Sequence, residues 1–163
     1  MDYQFRANAP YPDINIAQKS IYEVRLLKPA YAGRVSETTA SMEYMYQHYV
    51  LYEKYEEIAD VLEEIAIVEM THQEMLGKAI VQLGGCPIIS DNYKYWQGSY
   101  VNYATDVKTI IDCDIINEKK AIADYVEIVR MSKCEDVKTI IKRIILDEEI
   151  HVKTLCMIKE SLK

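Results

Sequence analysis

A chain of 163 residues, 50% of them apolar and with only five glycines and four prolines, is long enough for one packed core and rich in helix formers. Its net charge of −7 argues against nucleic acid or an anionic membrane as partner, since neither is drawn to an acidic surface. It opens with no basic segment leading into an apolar one and holds no run of about eighteen apolar residues, so a cytoplasmic protein is expected.

Residues 1–28 mix polar and apolar positions without a clear period and read as an arm, packed on the body or on a neighbouring subunit. Pro29 suits the first turn of a helix, where its missing N–H costs nothing, so the first long helix is placed at about residues 30–52. The second is placed at about residues 56–83, where Val61, Leu62, Ile65, Val68, Glu69, His72, Met75, Leu76 and Ala79 recur at three- and four-residue spacing before Gly84-Gly85 and Pro87 stop it. Residues 85–103, with Pro87, Trp96, Gly98 and four tyrosines, read as a crossover. A third helix follows at about 105–131. Ser132 and Glu135 fit a capping box, so a fourth helix is placed at about 133–162 after almost no loop. Cys86, Cys113, Cys134 and Cys156 lie far apart with no C-x-x-C spacing, and are read as reduced, mostly buried thiols.

Two stretches share one spacing. Glu69 and His72 stand three apart on one helical face, and Glu148 and His151 repeat that spacing near the end of the chain. Glu118 and Glu148 are equidistant from position 133, so a turn there sets them level across an antiparallel pair. Glu37 and Glu69 are equidistant from position 53, which predicts a turn near Glu53 to Glu56 that the local composition hides. Tyr44 and Tyr125 each follow a glutamate, Glu37 and Glu118, by seven residues on the same face. A 19-residue crossover reaches about 60 Å fully extended, enough to return along a helix of about 42 Å. The expected fold is all-α: two antiparallel helix pairs joined by a long crossover, a four-helix bundle with an N-terminal arm.

In that bundle Glu37, Glu69, His72, Glu118, Glu148 and His151 converge at mid-height. Four carboxylates in an apolar core cannot all remain ionised without compensation. Two divalent cations balance four glutamates and two neutral histidines, so a dinuclear metal centre is expected. His48, about 16 Å along the helix axis from Glu37, is read as an end-of-bundle or interface residue, and Glu63, Glu64, Glu74 and Glu149 as solvated.

This pattern, one Glu from each of two helices and Glu-x-x-His from each of the other two, resembles the ferritin-like superfamily, and most of all its rubrerythrin-like and manganese-catalase-like members. The resemblance implies Glu37 and Glu118 as terminal or bridging ligands, Glu69 and Glu148 as bridges, and His72 and His151 on one metal each. Tyr44 and Tyr125 would hydrogen-bond ligand carboxylates from outside. It further implies two iron ions, or alternatively two manganese ions, and reduction of hydrogen peroxide or dioxygen with electrons from an external donor, in a homo-oligomer with an oxidative-stress role. Manganese-type disproportionation of peroxide, iron oxidation for storage, and a structural bundle with a vestigial site are the alternatives. The chain departs from rubrerythrins in lacking a rubredoxin module. It also has Ala121 three residues after Glu118, where they place a further Glu; Asp114 is the nearest spare carboxylate.

Overall fold

Ser20 begins the helical part of the chain: its backbone is extended and its hydroxyl accepts from the backbone N–H of Glu23, capping a helix that the irregular composition before it does not announce. In a computed structural model, which describes residues 3–162, five α-helices follow in order. They are α1 (Ile21–Ala32), α2 (Glu37–Leu51), α3 (Glu56–Gln82), α4 (Val107–Met131) and α5 (Glu135–Ser161). The turn expected near Glu53 lies between α2 and α3, and no strand runs through the described residues.

The expected start at Ala30 is corrected. Pro29 lies in the last turn of α1, and the bundle helix begins at Glu37. Proline lacks the N–H that would bond the carbonyl four residues back. The carbonyl so released, that of Arg25, accepts instead from Asn92 Nδ2 of the crossover at 2.8 Å. Gly33 then ends α1, its N–H bonded to Pro29 O; a Cβ at Gly33 would lie 2.5 Å from that oxygen, so only glycine fits. The hydroxyls of Ser36 and Thr39 both donate to Gly33 O, and Ser36 caps α2 by accepting from Thr39 N.

The capping box at Ser132 is also corrected. Ser132 is the C-cap of α4, and α5 starts at Glu135 after Cys134, which makes no side-chain cap. The Ser132 hydroxyl is held elsewhere: it donates to Glu23 Oε2 at 2.8 Å, while Glu23 Oε1 accepts from Lys133 N at 2.7 Å. The buried carboxylate of α1 thus anchors the α4–α5 turn. Gly84, with φ +88°, takes the left-handed conformation that ends α3.

The pairs α2/α3 and α4/α5 pack lengthwise, and α1 lies against α2, α3 and α4. The apolar faces form two separate clusters. One contains Leu76, Ile80, Tyr125, Ile141 and Ile144; the other contains Tyr44, Leu62, Ile65, Ile111 and Leu155. Each such buried aliphatic side chain contributes about 1.5–3 kcal/mol relative to exposure. Between the clusters, at the level of residues 69, 72, 118, 148 and 151, the interior turns polar.

The crossover doubles back through an antiparallel bridge between Ser90 and Tyr95 and a short 3-10 turn, Gly98–Tyr100. Trp96 Nε1 donates to Thr39 Oγ1 and Asn102 N to Glu43 Oε2, which ties the crossover to α2. The segment before α1 runs back along α5: Thr154 Oγ1 donates to Gln4 O, and Arg143 Nε to Ala9 O. The four cysteines are free, but the expectation of burial is corrected: Cys86 is exposed and the other three are partly covered. No helix among the described residues is long and apolar enough to cross a membrane.

Candidate metal centre

All six sequence-derived residues meet in the polar layer. Glu37, Glu69, Glu118 and Glu148 are buried, and His72 and His151 are 0% exposed. Because α3 and α5 each present Glu and His one turn apart, the two imidazoles face each other, with ring centroids 6.2 Å apart.

The donor atoms divide into two groups of four. His72 Nδ1 stands 3.5 Å from Glu37 Oε2, 3.5 Å from Glu69 Oε2 and 3.3 Å from Glu148 Oε1. His151 Nδ1 stands 3.0 Å from Glu69 Oε1, 3.0 Å from Glu148 Oε2 and 3.8 Å from Glu118 Oε1. Within each group one donor atom per residue lies within 4.8 Å of the others. Glu69 and Glu148 therefore give one oxygen to each group, while Glu37 and Glu118 belong to one group apiece.

The histidines are oriented from behind. His151 Nε2 lies 2.8 Å from the carbonyl oxygen of Phe5, which can only accept, so Nε2 carries the proton and the neutral ring turns its Nδ1 lone pair inward. His72 Nε2 lies 2.9 Å from Asp147 Oδ2, with the same consequence for its tautomer. Asp147 is 0% exposed and accepts three further bonds: from Arg143 Nη1 at 2.6 Å, Ala7 N at 2.7 Å and the Tyr11 hydroxyl at 2.7 Å. Burial disfavours its charge, but the bonds from His72, Ala7, Arg143 and Tyr11 prevail and hold the carboxyl well below the usual range.

The two tyrosines cross over. The Tyr44 hydroxyl donates to Glu118 and the Tyr125 hydroxyl to Glu37, so each holds the glutamate of the facing helix rather than that of its own. Tyr44 belongs to one apolar cluster and Tyr125 to the other, so the polar layer is closed on both sides by a ring whose only polar atom points inward.

Without a cation the layer neutralises itself with protons. Burial, then repulsion from neighbouring glutamates, pushes the carboxyls of Glu37 and Glu118 well above the usual range. Burial also opposes charge on Glu69 and Glu148, yet the polar groups around them hold both below it: Glu37, then His151 and His72, for Glu69, and His151 and His72 for Glu148. Burial works against charging the two imidazoles, but the carboxylates around them raise both well above the ordinary histidine value. Two orphaned atoms show what is missing. His72 Nδ1 and Glu69 Oε1 are buried with no hydrogen-bond partner, despite the polar atoms around them. Donors that converge yet leave two of their atoms unpartnered fit a cation better than they fit a hydrogen-bond network.

On the side away from the arm, a cavity of about 460 Å³ opens between α2, α4 and the crossover. It reaches Glu37, Glu69, Glu118 and Glu148 but neither histidine, so the layer has a sealed back and an accessible front.

Sequence reasoning passed over Asp147, although it precedes Glu148 directly. The signal available was chemical: an inward-facing imidazole needs an acceptor behind it, and Arg143, one turn before Asp147, marks a partnered rather than a solvated acid. It also passed over Glu43, which is buried and accepts from Asn102 N and Asn117 Nδ2. His48 is half-buried near the end of α2, its Nδ1 on Ala59 O at 2.9 Å, away from the site.

Comparison with known proteins identifies the fold and the family. The Rubrerythrin family model matches residues 26–159. A bacterioferritin from Desulfovibrio desulfuricans is 32% identical over 124 residues, covering 74% of this chain and 66% of that protein, so the chain spans just under two thirds of that relative. A crystal structure of wild-type manganese catalase from Anabaena superimposes with a TM-score of 0.87 at 25% identity, over 98% of this chain and 80% of that one. The structure of the D. desulfuricans bacterioferritin, a protein with a diiron site, gives 0.70 at 29% identity, over 85% and 78%. The fold is the ferritin-like four-helix bundle, and the chain belongs to the rubrerythrin family of ferritin-like proteins.

Proposed function

We propose that the protein is a dinuclear non-haem metal oxidoreductase, two iron ions being its working pair, which reduces hydrogen peroxide or dioxygen. The observation that carries this reading is the split of Glu69 and Glu148 between two four-donor groups, each completed by one inward imidazole. Glu37, Glu69, Glu148 and His72 would hold one ion, and Glu69, Glu118, Glu148 and His151 the other. Such a pair, when bound, would supply two electrons to a small oxidant and would be restored by an external donor.

The chain's own residues do the rest. Tyr44 and Tyr125 fix the carboxylate planes of Glu118 and Glu37. Asp147 and the Phe5 carbonyl keep the imidazole protons outward. The arm keeps water from the back of the histidines, and the front cavity admits the oxidant. Exposed apolar side chains on α2 and α3, Met42, Tyr49, Ile67 and Met70, support assembly into a homo-oligomer, and the free thiols suit a reducing cytoplasm.

Manganese-type disproportionation of peroxide is the second reading, favoured by the superposition on the Anabaena manganese catalase. One experiment separates the two. Protein loaded anaerobically with Fe²⁺ or Mn²⁺ is mixed with hydrogen peroxide while peroxide and dioxygen are followed together. Peroxide loss with the iron form and no gas supports reduction; stoichiometric dioxygen from the manganese form supports disproportionation. If neither form consumes peroxide or dioxygen, the enzymatic reading is wrong.

A further inference from the structure

The wall of the front cavity carries a carboxyl group that the two four-donor groups do not use. Asp114 lies on α4 one turn before Glu118, lines the cavity and is 2% exposed. Its Oδ1 accepts from Gln47 Nε2 at 2.7 Å; its Oδ2 has no partner, and neither has Gln47 Oε1, although Gln47 is fully buried. Of these three buried oxygens, only Asp114 Oδ1 receives a hydrogen bond.

Nothing nearby supplies a compensating charge. From α2, Gln47 is neutral, Glu43 repels a second anion, and the Tyr44 hydroxyl is committed to Glu118. From α4, the Asn117 amide is bonded to Glu43 and Cys113 is a free thiol. An ionised carboxylate this buried, with one oxygen unpartnered and no opposite charge beside it, costs several kcal/mol. A proton on Oδ2 removes the charge and supplies the donor that the pair lacks. Burial first, and then Glu43, raise this carboxyl well above its usual range, against the lowering effect of the Gln47 bond.

We propose that Asp114 Oδ2 holds a proton at neutral pH and is the proton donor to the small oxidant that the cavity admits. The inference rests on the peroxide-reducing reading above. Reduction of H₂O₂ breaks the O–O bond and consumes two electrons and two protons to give two waters. Both electrons come, by way of the metal pair, from the external donor. Asp114 delivers one proton from Oδ2, solvent entering at the cavity mouth supplies the second, and the Asp114 carboxylate is then reprotonated from the same solvent.

Infrared difference spectra of zinc-loaded wild-type and Asp114→Asn protein at neutral pH, in H₂O and D₂O, test where the proton sits without redox turnover. The expected result is one neutral carboxylic acid C=O stretch, present only in the wild type and shifted in D₂O. Its absence means that Asp114 is ionised and overturns the proposal. In iron-loaded protein, Asp114→Asn should lower kcat for peroxide about a hundredfold or more with metal content unchanged. Full kcat overturns the donor role. If the Asn variant fails to fold, Gln47→Leu is used: loss of the amide should move the band, and an unmoved band overturns the assignment to Asp114. Wild-type iron protein with no peroxide turnover would sink the functional reading and the donor role with it, while the infrared band still decides the site of the proton.

Discussion

Asp147 Oδ2 accepts from His72 Nε2 at 2.9 Å and from the Tyr11 hydroxyl at 2.7 Å, joining a histidine of the candidate metal centre to the N-terminal arm. No other carboxylate among the described residues binds the outer nitrogen of a candidate ligand histidine; His151 makes do with the backbone carbonyl of Phe5. The two halves of the site are alike in their inner donors and unlike in what stands behind them.

That asymmetry gives an expectation for Asp147→Asn, which keeps the shape but removes the charge. Metal affinity should fall tenfold to a hundredfold, and the loss should fall mainly on the ion beside His72. Arg143 also loses its buried counter-charge, so the metal-free protein should lose about 3 kcal/mol or more. Calorimetric titration with Mn²⁺ and urea unfolding check the two effects separately. Unchanged affinity would reduce Asp147 to a tether for the arm.

The crossed tyrosines make a different statement, since each removes one hydroxyl from a fully buried glutamate. Tyr44→Phe and Tyr125→Phe should each cost about 1–3 kcal/mol in the metal-free protein. Because Glu37 and Glu118 are both coupled to Glu69 and Glu148, the double variant should depart from additivity by about 0.5 kcal/mol or more. Denaturant unfolding of the four proteins measures this. Strict additivity would mean that the carboxylates do not share protons across the layer.

Metal loading should release protons. Burial and neighbouring glutamates raise the carboxyls of Glu37 and Glu118, and the surrounding carboxylates raise both imidazoles, whereas holding two ions requires all four glutamates as anions and both imidazoles neutral. Protons therefore leave as the two ions enter. The sign follows: raised pKa values on groups that must deprotonate mean that affinity weakens as pH falls. Titration in buffers of different ionisation enthalpy counts the protons. The loaded form should also melt at a higher temperature than the metal-free form, by mass action. Release of no protons would place the ions elsewhere.

At the far end of the bundle, Asn92→Leu removes the donor that serves the Arg25 carbonyl freed by Pro29. Asn92 is exposed, so water replaces part of the bond and the loss should be about 0.5–1 kcal/mol. In a Pro29→Ala background the helix can supply its own N–H to that carbonyl, so Asn92→Leu should cost less there. A double-mutant cycle by thermal unfolding tests the coupling, and equal costs in both backgrounds would disprove it.

The sequence alone determined the all-α character, the hidden turn between Leu51 and Glu56, and the level at which the six acidic and imidazole side chains meet. Helical periodicity and the equal spacing about positions 53 and 133 are local, one-dimensional quantities, and they survive folding unchanged. It misplaced Pro29 and Ser132 because each was read by its own best-known local role, whereas Asn92 and Glu23, distant in the chain, supplied partners that made another role cheaper. Only tertiary structure decided which tyrosine holds which glutamate, that Asp147 and the Phe5 carbonyl stand behind the histidines, and that Asp114 faces the cavity with one oxygen unpaired. Those are pairings between residues 67 to 146 positions apart, and a hydrogen bond across that distance depends on how whole helices are rotated and set against each other, which no spacing rule within one helix contains.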